Sequence, residues 1–405
     1  FRTDRGLGRA LLALALWLTL VPAALAARVE VSLLLGDLDS VTAIEAVRML
    51  RQDPALRDVR VHAYPATDIR SRDLAPLARS RVVLVQTVGN ALSQAVEPEL
   101  RRVRAQGGKV YAVGSSWNET LAGLGLERDP ELREYMAAGG PSNIAHMVRR
   151  ALVKAAGLRI AVSPPSPIPD FAAYDARSGV FAVSFEEYRS RYAHHRPGRP
   201  WVGLPFYRSN AVSGQTATVL ALTEALEARG LNVLPFYGFP VDAAIERFGF
   251  DRDGRPVLAA LGALSMKISS NPRTLVPLLE RLGAPAVNLI ALNSRSLAEW
   301  DASPQGLDVL ERSWQVSLAE FGGLVAPTVV ATKEPFTDPG TGLQGVRETP
   351  VPERVARAAD RIARWVALRE TANRDKRVAV LYYNYPPGKE NIGAAYLNVL
   401  PHSLW

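Results

Sequence analysis

The sequence holds 405 residues, 48% of them hydrophobic and 22% charged, enough to bury the cores of two or three domains. It contains no cysteine, which excludes disulfides, thiolate chemistry and Cys-based zinc sites. The net charge of +8 comes from arginines spread along the chain without a long basic block, so no nucleic-acid partner is expected.

Arg2, Arg5 and Arg9 precede an apolar run from Ala10 to Leu20, and Ala24-Leu25-Ala26 has the small-residue spacing of a cleavage site. Residues 1–27 therefore read as a secretory signal peptide or a membrane anchor. That reading implies a periplasmic or membrane-anchored protein, with membrane association through this segment.

Residues 28–160 alternate strand and helix patterns. Val29–Leu35, Arg81–Val88 and Lys109–Val113 are apolar strands. Val41, Ile44 and Val47 recur at helical spacing after Ser40, a suitable N-cap, and Pro98 falls in the first turn of a helix that stops at Gly107-Gly108. This order predicts a parallel sheet with helices on its faces. Asp37, Asp39, Gln86, Asn90, Ser115 and Asn118 lie at strand ends. Open α/β sheets bind ligands there, although such residues also serve as loop caps. No GxGxxG or P-loop pattern is present, so no nucleotide site is expected.

Residues 161–199 read as a Pro-rich linker, or an ordered strap, around Ser163-Pro164-Pro165-Ser166-Pro167-Ile168-Pro169, with a short helix predicted over Phe181–Arg191. His194 and His195 are adjacent, so their side chains point apart, and no third ligand lies at metal spacing. No metal site is expected.

Residues 200–349 predict a second α/β domain. Pro200–Tyr207 is a strand ending at Arg208-Ser209-Asn210, followed by a helix over Gln215–Arg229 and a strand over Leu231–Tyr237, a βαβ unit with right-handed crossover. Arg208 and Ser209, with Asn210, are candidate substrate-binding residues, because a strand-end guanidinium suits a carboxylate. The alternative is an arginine that holds a neighbouring loop. Ala286–Leu292 is a buried strand, Asp308–Phe321 a helix, and Leu324–Val330 a strand with Lys333-Glu334 at its end. Trp300 and Trp314 suit either core packing or stacking on a planar ligand.

Residues 350–405 begin with a helix over Glu353–Glu370, with Val355, Ala358, Ala359, Ile362, Trp365 and Val366 as its apolar face and Arg354, Arg357, Arg361 and Arg364 on the other. A strand from Val378 to Tyr383 then breaks at Asn384-Tyr385-Pro386-Pro387-Gly388 and continues through Lys389-Glu390-Asn391 into Ile392-Gly393-Ala394-Ala395. The fold class is α/β: two open, mostly parallel sheet domains flanked by helices, plus the strand that opens a further domain.

The run Tyr383–Gly393, with Tyr396-Leu397-Asn398 and Pro401-His402-Ser403-Leu404, resembles the "NYP…IG" segment of the large subunits of ATP-dependent tetrapyrrole metal chelatases, the CobN type and the magnesium chelatase H subunit. Tyr207-Arg208-Ser209 with Leu226–Tyr237, and Glu299-Trp300 with Ser303–Leu307, resemble further segments of that family. The resemblance implies the N-terminal portion of a longer chain, inactive alone, with the CobN/Mg-chelatase core domain starting within 350–405. It implies a tetrapyrrole-binding subunit of a cobaltochelatase, a ligase that inserts cobalt into hydrogenobyrinic acid a,c-diamide during cobalamin biosynthesis. Magnesium or iron are the other candidate substrate metals. ATP would be hydrolysed by separate ATPase subunits, and no cofactor would be bound by this portion.

On that resemblance Glu390 is the catalytic candidate, as a proton relay or a group meeting the metal. Asn384, Tyr385, Lys389 and Asn391 join Arg208 and Ser209 as substrate-binding candidates, with Lys389 facing a ring carboxylate. Lys389 and Glu390 pairing with each other is the alternative. A biosynthetic role places the chain in the cytoplasm, against the leader-like segment. An exported CobN-like tetrapyrrole binder or haem dechelatase working without ATP is therefore the first alternative, and a periplasmic two-lobed small-molecule binding protein the second.

Overall fold

The first sheet, in a computed structural model of the chain, has the order β2-β1-β3-β4 and is parallel throughout, from β1 (Val29–Leu34), β2 (Val59–Ala63), β3 (Val82–Val85) and β4 (Lys109–Ala112). The structure describes residues 28–37, 39–66, 69–86, 94–114, 122–264 and 271–379. The readings of residues 1–27, of Asn90, Ser115 and Asn118, and of Asn384, Tyr385, Lys389, Glu390 and Asn391 lie outside the described residues.

Side chains alternate across a strand, so a sheet covered on both faces needs two apolar sets. Val31, Leu33 and Leu84 pack with helices Ser40–Arg51 and Gly140–Ala156. Leu34, Val83 and Val85 pack on the other face with Leu100 and Val103 of helix Glu97–Ala105. The expected Ser40 cap is corrected: Asp39 holds the N-cap position, and the Ser40 hydroxyl donates to the Asp37 carbonyl at 2.8 Å. The Asp39 carboxylate leaves its own helix uncapped because it accepts from Gln86 across the strand ends.

The second sheet has eight strands in the order β12-β11-β10-β9-β7-β8-β5-β6. They are β5 (Ala172–Tyr174), β6 (Phe181–Ala182), β7 (Trp201–Pro205), β8 (Asn232–Tyr237), β9 (Leu258–Ala263), β10 (Ala286–Ala291), β11 (Leu324–Thr337) and β12 (Gln344–Pro350). The five central strands, β11, β10, β9, β7 and β8, run parallel, and β5, β6 and β12 are antiparallel additions at the edges. Helices Ala217–Glu227 and Pro352–Glu370 cover one face, over Leu204, Val287 and Leu289. Helices Val241–Phe248 and Pro272–Leu282 cover the other, over Leu234 and Leu261.

Four local expectations are corrected. Residues 181–182 pair with β5, and the helix starts at Phe185, where the Ser184 hydroxyl accepts from the Glu187 amide at 3.1 Å. β11 runs on to Thr337 and folds back against β12, so Lys333 and Glu334 lie within a strand. The helix expected over 308–321 is π-helical at Arg312–Ser317, between short α-helical pieces. Trp365, expected on the buried face of its helix, is 38% exposed beside Arg361 and Arg364.

The tip of the β11–β12 hairpin reaches helix Ser40–Arg51, which covers the first sheet. Asp338 pairs with Arg48, and Arg51 donates to the Thr341 carbonyl at 2.9 Å.

Candidate functional site at the strand ends of the second sheet

β7, β9 and β10 end beside one another, and parallel strands place all their carboxyl ends at one edge. The chain opens there into a cavity of about 290 Å³. Phe206, Leu264 and Leu292 give it apolar walls, and Ser209, Asn210, Asn293, Gln315, Lys333 and Glu348 give it polar ones.

Hydrogen bonds hold four of these polar side chains, those of Lys333, Glu348, Asn210 and Gln315. Lys333 Nζ donates to Glu348 Oε2 at 3.0 Å, and Asn210 Nδ2 reaches the same oxygen at 3.3 Å and the Gln215 carbonyl at 3.1 Å. Glu348 is 5% exposed, so its charge is balanced by Lys333 inside the protein rather than by water. Gln315 Nε2 donates to the Ala291 carbonyl at 3.1 Å, fixing the β10 end against the π-helical turn. Tyr207 also lines the cavity. Its buried hydroxyl has no hydrogen-bond partner among the described residues, and burial pushes its pKa up to about 12.

The sequence candidates separate. Ser209 and Asn210 line the cavity. Arg208 turns toward the Pro-rich strap, donating from Nη2 to the Ile168 carbonyl at 2.8 Å and from Nε to the Pro169 carbonyl at 3.1 Å. Trp300 packs against the cluster of Ile290, Leu292 and Val329, and the Arg354 guanidinium lies 5.1 Å from its ring centre. Trp314 is half-buried in the π-helical turn.

His194 Nδ1 lies 3.7 Å from Glu227, whereas the His195 ring lies 5.5 Å from that of Trp201, so the pair diverges. Among the described residues no three His, Asp or Glu side chains are grouped to hold a metal ion. At the first sheet Gln86 Nε2 donates to Asp39 Oδ2 at 3.0 Å, and burial raises the Asp39 pKa to about 6. Glu348, Gln315 and Asn293 were missed in the sequence. Glu348 sits in QGVRETP, which lacks apolar alternation, and only its pairing with β11 brings it to the site.

A mostly parallel sheet covered by helices on both faces, with a small polar cavity at its strand ends, places the second region among the open α/β folds, whose ligand sites lie at that edge. The sequence model of the CobN/Magnesium Chelatase family matches residues 133–404, and the chain belongs to that family. It is 26% identical over 289 residues to the chloroplastic magnesium-chelatase subunit ChlH of Oryza sativa subsp. indica, covering 66% of this chain and 20% of that protein. It is 29% identical over 286 residues to the aerobic cobaltochelatase subunit CobN of Sinorhizobium sp, covering 68% of this chain and 22% of that one.

The fold is similar to that of the catalytic subunit of cobaltochelatase from Mycobacterium tuberculosis, with a TM-score of 0.55, 22% identity, and coverage of 88% of this chain and 29% of that one. The chain thus spans about a fifth of the length of these curated relatives. No helix among the described residues is long and apolar enough to cross a membrane.

Proposed function

We propose that this chain is part of a tetrapyrrole-binding large subunit that inserts cobalt into hydrogenobyrinic acid a,c-diamide, driven by ATP hydrolysis in partner ATPase subunits. The family match over residues 133–404 carries this reading. The strand-end cavity agrees with it in scale. At about 290 Å³ it falls at the lower limit of small-molecule sites and suits one peripheral arm of a macrocycle, with the ring at its mouth.

Metal insertion requires removal of pyrrole protons and a distorted ring, hence a base and a shaped pocket. Glu390 is proposed as the proton relay, with Asn384, Tyr385, Lys389 and Asn391 around it. Such a biosynthetic subunit works in the cytoplasm, where ATP is available. Magnesium as substrate metal is the nearest variant, since the relatives include both cobaltochelatase and magnesium-chelatase subunits. A second reading, an exported tetrapyrrole binder or dechelatase independent of ATP, is favoured by the basic lead and apolar run of residues 1–27. Family membership favours both over a two-lobed small-molecule binding protein.

The test is a titration of the full-length subunit, expressed with its own leader, with hydrogenobyrinic acid a,c-diamide, protoporphyrin and haem, followed by absorbance and bound metal, with and without ATP and ATPase partners. ATP-dependent cobalt uptake is expected. Metal loss from haem without ATP would establish the second reading, and no spectral change with any macrocycle would overturn both.

A further inference from the structure

We propose that the outer face of residues 308–321 is an internal docking surface, covered in the whole subunit by the part of the same chain that follows Ala379. This segment is turned inside out. A surface helix ordinarily lays its apolar residues on the core and its polar ones toward solvent. Here Glu311 and Gln315 are buried, whereas Val309, Leu310, Leu318 and Phe321 are 73%, 67%, 47% and 70% exposed, and Trp314 between them is half-buried. Leu310, Trp314 and Leu318 recur every four residues and share one side of the segment.

Hydrogen bonds hold it in that orientation. Glu311 Oε1 accepts from the Asn293 amide at 2.8 Å, and its Oε2 accepts from Arg295 at 2.7 Å. Gln315 Nε2 donates to the Ala291 carbonyl, and the Gln315 backbone carbonyl accepts from Asn288 Nδ2 at 2.7 Å. The Asp308 carboxylate accepts from the Glu311 amide at 2.7 Å. Rolling the segment to bury Leu310 and Leu318 would break these bonds and strand the Glu311 carboxylate. The apolar row is therefore fixed outward, and a contiguous row of large apolar side chains on a surface marks a contact.

The path of the chain identifies the occupant. This chain spans about a fifth of the length of its curated relatives. On the large-subunit reading above, on which the identity of the occupant rests, the remaining domains belong to the same polypeptide. Helix Pro352–Glu370 ends at the sheet edge where the apolar row also ends: Arg369 Nη1 donates at 3.0 Å to the carbonyl of Leu258, the first residue of β9. Only β10 separates β9 from β11, so this point lies about 10 Å across the sheet from the start of β11. β11 begins at Leu324, just after Phe321. Residues 371–379 can span up to about 30 Å, which brings the following chain within reach of the row. That chain opens with Val380, Leu381, Tyr382 and Tyr383, an apolar complement to the face. A membrane surface fits less well, because residues 308–321 hold one basic residue, Arg312, against Asp308, Glu311 and Glu320.

The test uses the full-length subunit with the photoreactive residue p-benzoylphenylalanine in place of Phe321, an exposed position where the larger ring disturbs no core. Irradiation and mass spectrometry are expected to show a crosslink to residues after Ala379 of the same molecule, at a yield independent of protein concentration. A crosslink between two copies, to an ATPase subunit or to lipid, or reaction with solvent alone, would overturn the proposal. No macrocycle, metal or ATP enters this measurement, so its result is separate from the fate of the chelatase reading. In a second measurement, Leu310→Asp and Phe321→Asp together are expected to raise tryptic cleavage after Arg374, Lys376 and Arg377 about tenfold, because undocking frees that junction. Cleavage at the wild-type rate would also overturn the proposal.

Discussion

Gln215 and Glu348 hold each other across 133 residues of sequence: the Glu348 amide donates to Gln215 Oε1 at 2.7 Å, and Gln215 Nε2 donates to the Val346 carbonyl at 3.1 Å. One side chain thereby completes the edge of β12 facing the helix that follows β7. It sets the height at which Glu348 meets Lys333 and Asn210.

Replacing Gln215 with leucine strands a buried N–H and a buried carbonyl. Each such group costs about 1–3 kcal/mol when left unpaired. Gln215→Leu is therefore expected to lower the urea midpoint at unchanged slope. It should also weaken ligand binding at the cavity, because β12 loses its anchor. A variant with wild-type stability would show that water takes over both bonds.

Arg208 is expected to act on the strap and not on ligand. Its two donors bind successive carbonyls, Ile168 and Pro169, in a segment whose prolines supply no N–H of their own. Hydrogen bonds to a charged group are worth about 1.5–3 kcal/mol. Arg208→Ala should speed proteolysis within residues 161–170 while leaving macrocycle affinity within about twofold. Arg208→Lys, lacking the planar fork, should restore little of the protection. A loss of affinity without a change in cleavage would return Arg208 to the binding site.

Asp39 makes stability depend on pH in an unusual direction. Burial raises its pKa from 3.8 to about 6. Between those values the folded protein holds the proton more firmly than the unfolded chain, so this group's contribution falls as pH rises, and the full penalty is present above about 6. The size is up to about 3 kcal/mol. Asp39→Asn keeps an oxygen for Gln86 and removes the charge. Its stability advantage over wild type is expected to be absent below pH 3.8, to grow through the window and to level off above pH 6, as read by urea unfolding at three pH values. An advantage independent of pH would mean that Asp39 is already ionised at no cost.

Much of this was legible in the chain. The parallel strands showed as continuous apolar runs, since both faces are covered, and the βαβ unit around Arg208 could be placed to within a few residues. β9 was missed because Leu-Ala-Ala-Leu-Gly-Ala carries no β-branched or aromatic residue to mark it as a strand. Its small side chains answer to space: a Cβ on Gly262 would lie 2.8 Å from Leu204 Cδ2. Arg208 looked like a ligand contact because its position at a strand end is local information, whereas its partners lie 39 and 40 residues earlier. Glu348 was silent for the same reason: its site is made by strand pairing and by Gln215.

Gly139 shows how such long-range packing can be tested. It joins helices Pro130–Ala138 and Gly140–Ala156 with φ 67° and ψ −177°, a region open almost only to glycine. A Cβ there would also stand 1.8 Å from Val212 Cγ1, beyond β7 in the second α/β region. Gly140, at φ +80°, has nothing within 4 Å of its would-be Cβ. Gly140→Ala therefore measures backbone strain alone, expected at about 1–3 kcal/mol. Gly139→Ala should cost clearly more, because Val212 must move as well. Val212→Ala removes the colliding methyls, so the double variant is expected to recover to the Gly140→Ala level and no further, a coupling that a double-mutant cycle on urea midpoints reads directly. Full recovery would mean that the backbone at residue 139 is unstrained. No recovery would mean that the two regions do not meet at Val212.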